Sequence, residues 1–210
     1  MNILIVFVLP YYMATVARCA PLPAAQSALV ADPQFQQSVQ WSHTLVQKIL
    51  LSIPETHKSC IHTETLRLNS TENAKLQLMA SSIGIRSAPA LRVVSEDFTV
   101  ETGLTRMSEG LQLHRDLLAS VSPRLTNTGK VDELMGDIKD LVVHVNKMLK
   151  MVRTEVTAQP TPTPVNLQMP GEYEVQVAAH LTLVQLQTFG QDMVRSLRSM
   201  EQNEDKEADG

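Results

Sequence analysis

The apolar residues of this chain recur every three or four positions along four long segments, which is the spacing of an amphipathic helix. Asp32 and Pro33 supply an N-cap and first turn for the first segment, and Pro54 supplies a stop. A cap near Ser95 starts the second segment, and Pro123 ends it. The predicted helices span 33–53, 96–121, 128–153 and 172–200.

The loops between these helices differ in length. Only a short turn separates the second helix from the third, whereas the first and third connections are long. The first connection, from Pro54 to about Val94, is rich in Ser, Thr and Asn, and its apolar burst "KLQLMASSIGI" predicts a short helix. Because long crossovers allow consecutive helices to run parallel, the pattern predicts an all-α, long-chain four-helix bundle with up-up-down-down topology.

Composition agrees with this fold. Of the 210 residues 43% are hydrophobic, 19% are charged and 4% are aromatic, and the net charge is −4. These values fit one globular domain and exclude both a disordered tail and a basic nucleic-acid-binding protein.

Both ends of the chain depart from the helical pattern. Residues 1–19 resemble a secretory signal peptide, with an apolar run at 3–9 and a predicted cut after Cys19; the alternative is a buried N-terminal helix. Beyond it, we expect a domain over 20–202 and a disordered polar tail over 203–210. The expectation is a secreted protein without membrane insertion.

Two features fit export. Asn69 begins an Asn-Ser-Thr glycosylation sequon in a polar segment, and the stretch "TAQPTPTP" carries threonines suited to O-linked sugar. If Cys19 leaves with the signal peptide, Cys60 is a free thiol in the mature chain.

No motif for catalysis is present in the sequence. The six histidines do not follow metal-ligand spacing, and the set His57, Cys60 and His62 is read as part of a polar loop. His114 falls on the apolar stripe of the second helix, which predicts a core or boundary histidine. We therefore expect no enzyme, no metal and no cofactor.

Four segments carry a resemblance to a known family: "SSIGIRSAP", "GLQLHRDLLASVSPRL", "VDELMGDIKDL" and "QLQTFGQDMVRSL". In order and spacing they resemble the granulocyte colony-stimulating factor family, among the interleukin-6-like long-chain cytokines. The resemblance implies a haematopoietic growth factor, monomeric when free, that clusters a class I cytokine receptor on myeloid cells.

The resemblance also implies two receptor-binding sites. The main one lies on the first and third helices, where Lys48, Asp137 and Asp140 match the family and Thr44 replaces its central glutamate. Helical geometry turns Trp41, the only tryptophan, outward beside them, either under a long loop or as an interface anchor. The second site is implied at Glu64 and Tyr173.

One departure from the family concerns disulfides. Mammalian members have two, and of those four cysteines only Cys60 has a counterpart here, with Pro54 at the position of its partner. A different function remains open from the residues alone, namely a secreted helical carrier with a lipid or small apolar ligand in a cavity among its methionine-rich helices.

Overall fold

The computed structural model describes residues 31–70, 73–91, 99–153 and 164–201. Within these ranges the chain is all-α, with a single 3-10 turn at Ser122–Arg124 and no strand. The helices are α1 (Pro33–Cys60), α2 (Asn73–Ile83), α3 (Val100–Val121), α4 (Gly129–Val152) and α5 (Glu172–Arg198). The predicted signal peptide, the threonines of "TAQPTPTP" and the tail at 203–210 lie outside the described residues.

The first helix is longer than predicted. It was expected to end at residue 53, but α1 continues through Pro54 to Cys60, and the Ile61 N–H closes its last turn on the His57 carbonyl. Proline forfeits one backbone hydrogen bond within a helix. Thr56 and Cys60 are completely buried beyond the proline, so packing of the last two turns compensates for that loss.

The second long helix starts later than predicted. Its expected start at residue 96 is wrong, because Thr99 has an extended backbone and its side chain caps the Thr102 N–H. Residues 95–97, the predicted cap, lie outside the described residues. The last two helices start within a residue of their predicted positions and end one or two residues early. At the start of α5 the Glu174 carboxylate accepts a hydrogen bond from the Gly171 N–H.

The two long connections meet at the end of α2, the short helix predicted for the first of them. Gly84 has a φ of +91°, which suits glycine, and a Cβ there would lie 2.9 Å from the Asn166 carbonyl oxygen. Next to it, the Gln168 N–H donates to the Ile83 carbonyl at 2.8 Å. The segment before α5 is thereby fixed to the end of α2.

Helix α1 packs against both α4 and α5. The Gln36 side chain, near the start of α1, donates to the Met200 carbonyl just beyond α5, and His57 contacts His180 near the start of α5. Because the start of α1 contacts the end of α5 and the end of α1 contacts the first part of α5, the two helices are antiparallel. Lys48 of α1 also pairs with Asp137 of α4.

Helix α3 also packs against α4 and α5. Glu101, at its start, pairs with Arg153 just after α4, and Ser122, at its end, contacts Asp132 in the first turn of α4. Arg124 beyond α3 donates to the Met169 carbonyl before α5. The core between these helices contains the predicted stripes, and among the largest completely buried side chains are Phe35, Leu104, Met107, Leu111, Ile138 and Leu141.

Candidate functional site

The face shared by α1 and α4 brings together three of the residues that the resemblance assigns to the main site. Lys48 Nζ lies 2.6 Å from Asp137 Oδ1. This hydrogen bond raises the pKa of Lys48, and the nearby carboxylates of Asp140 and Glu133 act in the same direction. Lys48 and Asp140 are exposed, whereas Asp137 is partly buried under the lysine. The surface there carries two cation–carboxylate pairs, because Lys130 Nζ also lies 2.7 Å from Glu133 Oε2.

Trp41 extends the same face towards the start of α1. It lies seven residues before Lys48, two helical turns away, with Thr44 between them. Its exposed fraction is 56%, which confirms that the side chain points away from the core. Thr44 is exposed, and its hydroxyl is used within the helix, donating to the Gln40 carbonyl at 3.0 Å. A large apolar side chain thus stands on a polar surface.

Leu51 continues this row and was not singled out from the sequence. It is 79% exposed and follows Lys48 by three residues, so the spacing 41, 44, 48 and 51 forms a second, outward stripe along α1. The spacing of three, four and three residues could have indicated this outward stripe from the sequence. Exposed apolar side chains thus stand at both ends of a polar stripe on this face.

The second implied site lies beyond the C-terminal end of α1, away from Trp41. Glu64 is exposed in the turn that follows α1, and Tyr173, 46% exposed, is in the first turn of α5. Gln176 connects the two segments: its side chain accepts from the His62 N–H at 2.9 Å and donates to the Cys60 carbonyl at 3.1 Å. Glu64 and Tyr173 therefore stand at the same end of the protein, on segments that are held together by a buried amide.

Two modification positions were predicted. Asn69 is exposed in a turn, where a glycan would meet solvent, while Thr71 of its sequon lies outside the described residues. Cys60 is completely buried and forms no disulfide with any described residue. Burial raises the pKa of its thiol to about 11, so it stays protonated at neutral pH.

His57 and His114 differ from the expectations that the sequence raised, and a third histidine, His180, was not singled out. His57 belongs to α1 and not to a loop, and its Nε2 lies 2.9 Å from His180 Nδ1. His114 is completely buried as predicted, but it is only half satisfied, because Nδ1 bonds to the Gly110 carbonyl and Nε2 has no hydrogen-bond partner among the described residues. For His180 a signal was available: residues 175–183 contain no Asp, Glu, Lys or Arg, which predicts burial on every side.

The described residues also form an open cavity of about 290 Å³ at the surface. It lies between residues 87–90 and α5, and its lining includes Gln77, Gln185, Phe189 and Asp192. The carrier alternative expected an apolar cavity among the long helices, whereas this cavity opens to solvent and has polar side chains around it.

Neither a metal site nor a membrane-spanning helix is found among the described residues. Within the described ranges no group of three or more His, Cys, Asp or Glu side chains is arranged to hold a metal ion. No helix of the described part of the chain combines the length and the apolar character needed to cross a membrane. The sequence matches no protein-family model and no curated protein.

Proposed function

We propose that this protein is a secreted cytokine that binds and clusters a class I cytokine receptor, as its resemblance to the granulocyte colony-stimulating factor family implies, and so promotes growth and differentiation of myeloid cells. The single structural observation that favours it is the α1–α4 face. There an exposed tryptophan shares one helix face with Lys48, which pairs with Asp137 across the helix contact.

The proposed fold is the long-chain four-helix bundle with up-up-down-down topology. Support comes from the pairwise contacts: α1 is antiparallel to α5, and both α1 and α3 pack between α4 and α5. Glu101 with Arg153, and Ser122 with Asp132, favour an antiparallel pair of α3 and α4. In such an arrangement α1 and α3 run parallel, as two long crossovers require.

Within the proposed main site, Trp41 is the anchor and the charges around Lys48 form the rim. Tryptophan is enriched among the residues that dominate binding energies, and a polar rim excludes water around such an anchor. The exposed carboxylate of Asp140, beside the Lys48–Asp137 pair, favours a receptor face that carries Lys or Arg. Glu64 and Tyr173 are the proposed second site, through which the complex is clustered.

The test is binding of the full secreted chain to class I receptor ectodomains, beginning with the granulocyte colony-stimulating factor receptor, by surface plasmon resonance. We expect Trp41→Ala to lower affinity about thirtyfold, which corresponds to ~2 kcal/mol. Its melting temperature should stay near that of the wild type, because the side chain is mostly exposed. Leu78→Ala, an exposed apolar residue on α2, is the matched control and should leave binding unchanged.

The second site is tested by stoichiometry. Glu64→Ala combined with Tyr173→Ala should leave one-to-one binding intact and reduce the larger complexes seen by light scattering. If the wild type binds no class I ectodomain, the receptor proposal is wrong. If Trp41→Ala binds as well as the wild type, the anchor role is wrong even if the receptor is right.

A further inference from the structure

A chain of side-chain hydrogen bonds connects α1, α5 and the start of α2. His57 Nε2 lies 2.9 Å from His180 Nδ1, and His180 Nε2 lies 2.9 Å from Asn73 Oδ1. Asn73 Nδ2 in turn donates to the Leu68 carbonyl at 2.8 Å. His180 is completely buried and His57 is half-buried. The chain therefore ties the turn at residues 68–70 and the first residue of α2 to the buried side of α5.

The bonding partners fix the position of every proton in this chain. Because Asn73 donates its amide nitrogen to the Leu68 carbonyl, its Oδ1 faces His180 and can only accept. His180 Nε2 must carry a hydrogen, so the Nδ1 of a neutral His180 is an acceptor. His57 Nε2 then donates to it. Each of these nitrogens is satisfied while His180 is neutral.

Added protons affect the two rings differently. A proton on His57 Nδ1 leaves the bond to His180 intact. A further proton on His180 Nδ1 places two N–H groups face to face, and that bond must break. Burial lowers the pKa of both histidines, and in His180 the adjacent His57 adds to it, so the pKa of His180 is about 4.

Among the described residues no acidic group contributes to the lowered pKa of either histidine. Within one turn of the chain, α1 carries the exposed Glu55 and Lys58 and the buried Cys60, α5 carries the neutral Gln176, and α2 carries the exposed Lys75. Burial keeps the Cys60 thiol neutral by raising its pKa to about 11. The nearest charged residues in sequence among those described are Glu55, Lys58, Arg67, Lys75 and Glu174.

We propose that the chain His57–His180–Asn73 is a pH-sensitive latch, which holds the turn at 68–70 and the start of α2 against α5 at neutral pH and opens more often in mildly acidic solution. The adjacent anchor at Gln176 contains no titratable group, so it stays closed. Release changes the surface around Asn69. An effect on the second receptor site at Glu64 would rest on the proposed function; the latch itself does not.

The test is amide hydrogen exchange by NMR on the full secreted chain at pH 7.5 and 5, with rates corrected for intrinsic exchange. If opening returns His180 to an ordinary pKa of ~6.5, opening becomes roughly thirtyfold more frequent at pH 5. The Ser70 and Asn73 amides, which bond to Arg67 and Ser70 carbonyls, should lose protection accordingly. The His62 amide, held by Gln176, should change little. Imidazole NMR in the same samples reports the charge of His180.

Variants separate the latch from general acid sensitivity. His180→Gln keeps a donor and an acceptor but does not titrate, so it should abolish the pH dependence at Ser70 and Asn73, whereas His144→Gln on α4 should retain it. If His180→Gln does not fold, His57→Gln replaces it and should weaken the pH dependence, because the glutamine amide can turn its oxygen to accept from a protonated His180. Equal protection of Ser70 and Asn73 at both pH values in the wild type, or protonation of His180 without loss of protection, overturns the proposal.

Discussion

The buried imidazole of His114 gives the fold a measurable acid sensitivity, and His114→Leu should remove it. The Nδ1 of His114 lies 2.6 Å from the Gly110 carbonyl oxygen, which can only accept, so Nδ1 carries the hydrogen. Nε2 is then a lone-pair acceptor without a partner in the described part of the chain, inside a core where the centroid of the Phe189 ring lies 5.2 Å from that of His114. Protonation of Nε2 would place a buried charge there with no acceptor for it.

The size of the effect follows from proton linkage. Burial lowers the pKa of His114 to about 4, although the bond to Gly110 acts in the opposite direction, whereas an unfolded histidine titrates near ~6.5. Between these values the unfolded chain binds more protons than the folded chain, so stability is lost as the pH falls below about 6.5. At pH 5 the loss due to His114 is about 2 kcal/mol.

The assay is urea unfolding of wild type and His114→Leu, followed by far-UV circular dichroism at pH 7.5 and 5. Leucine has a similar volume, and it removes both the unpartnered acceptor and one hydrogen bond, so we expect similar stabilities at pH 7.5. Between pH 7.5 and 5 the wild type should lose about 2 kcal/mol more than the variant. His144→Leu, a partly exposed histidine on α4, controls for loss of an imidazole. A difference below about 0.5 kcal/mol would mean that His114 is not buried as a neutral ring.

Two further predictions concern packing and reactivity. Gly110→Ala should destabilise the protein by about 1–3 kcal/mol, because the new methyl group would overlap the Phe189 ring. Gly136→Ala has nothing within 4 Å of its new Cβ and should stabilise α4 by about 0.5–1 kcal/mol. Thermal unfolding of both variants measures these changes, and equal effects of the two substitutions would contradict the prediction. Cys60, buried with a pKa of about 11, should react with a thiol reagent only after addition of denaturant, and rapid labelling of the native protein at pH 8 would show that the end of α1 is open.

Periodicity predicted the long helices because each has one apolar stripe, and burial of Val39, Leu111 and Val145 follows from spacing alone. It could not predict that α1 passes Pro54. The local cost of a proline is visible in the sequence, but the compensating burial of Thr56 and Cys60 depends on contacts with distant elements. Thr99 was missed as the cap for a simpler reason, since Ser95 also offers a capping hydroxyl.

The candidate site was predictable only in part. Helical geometry correctly turned Trp41 outward, and the resemblance named Lys48 and Asp137, which the structure brings to 2.6 Å. Whether this face binds a receptor stays a prediction. The contact of His57 with His180 joins residues 123 positions apart, and no local pattern pairs them. Long-range polar contacts of this kind become visible only after the helices are packed.

The end of α1 shows how one structural task can be met by different chemistry. In mammalian members of the family that the sequence resembles, a disulfide tethers this region; here Pro54 takes the position of one cysteine, and Cys60 forms no disulfide with any described residue. The connection is held instead by Gln176 and by the histidine chain through His180. A disulfide does not respond to mild acid, whereas a hydrogen bond to a neutral imidazole does. Polar contacts through Gln176 and His180 thus fix the segment that carries Glu64, and under the proposed latch its attachment depends on pH.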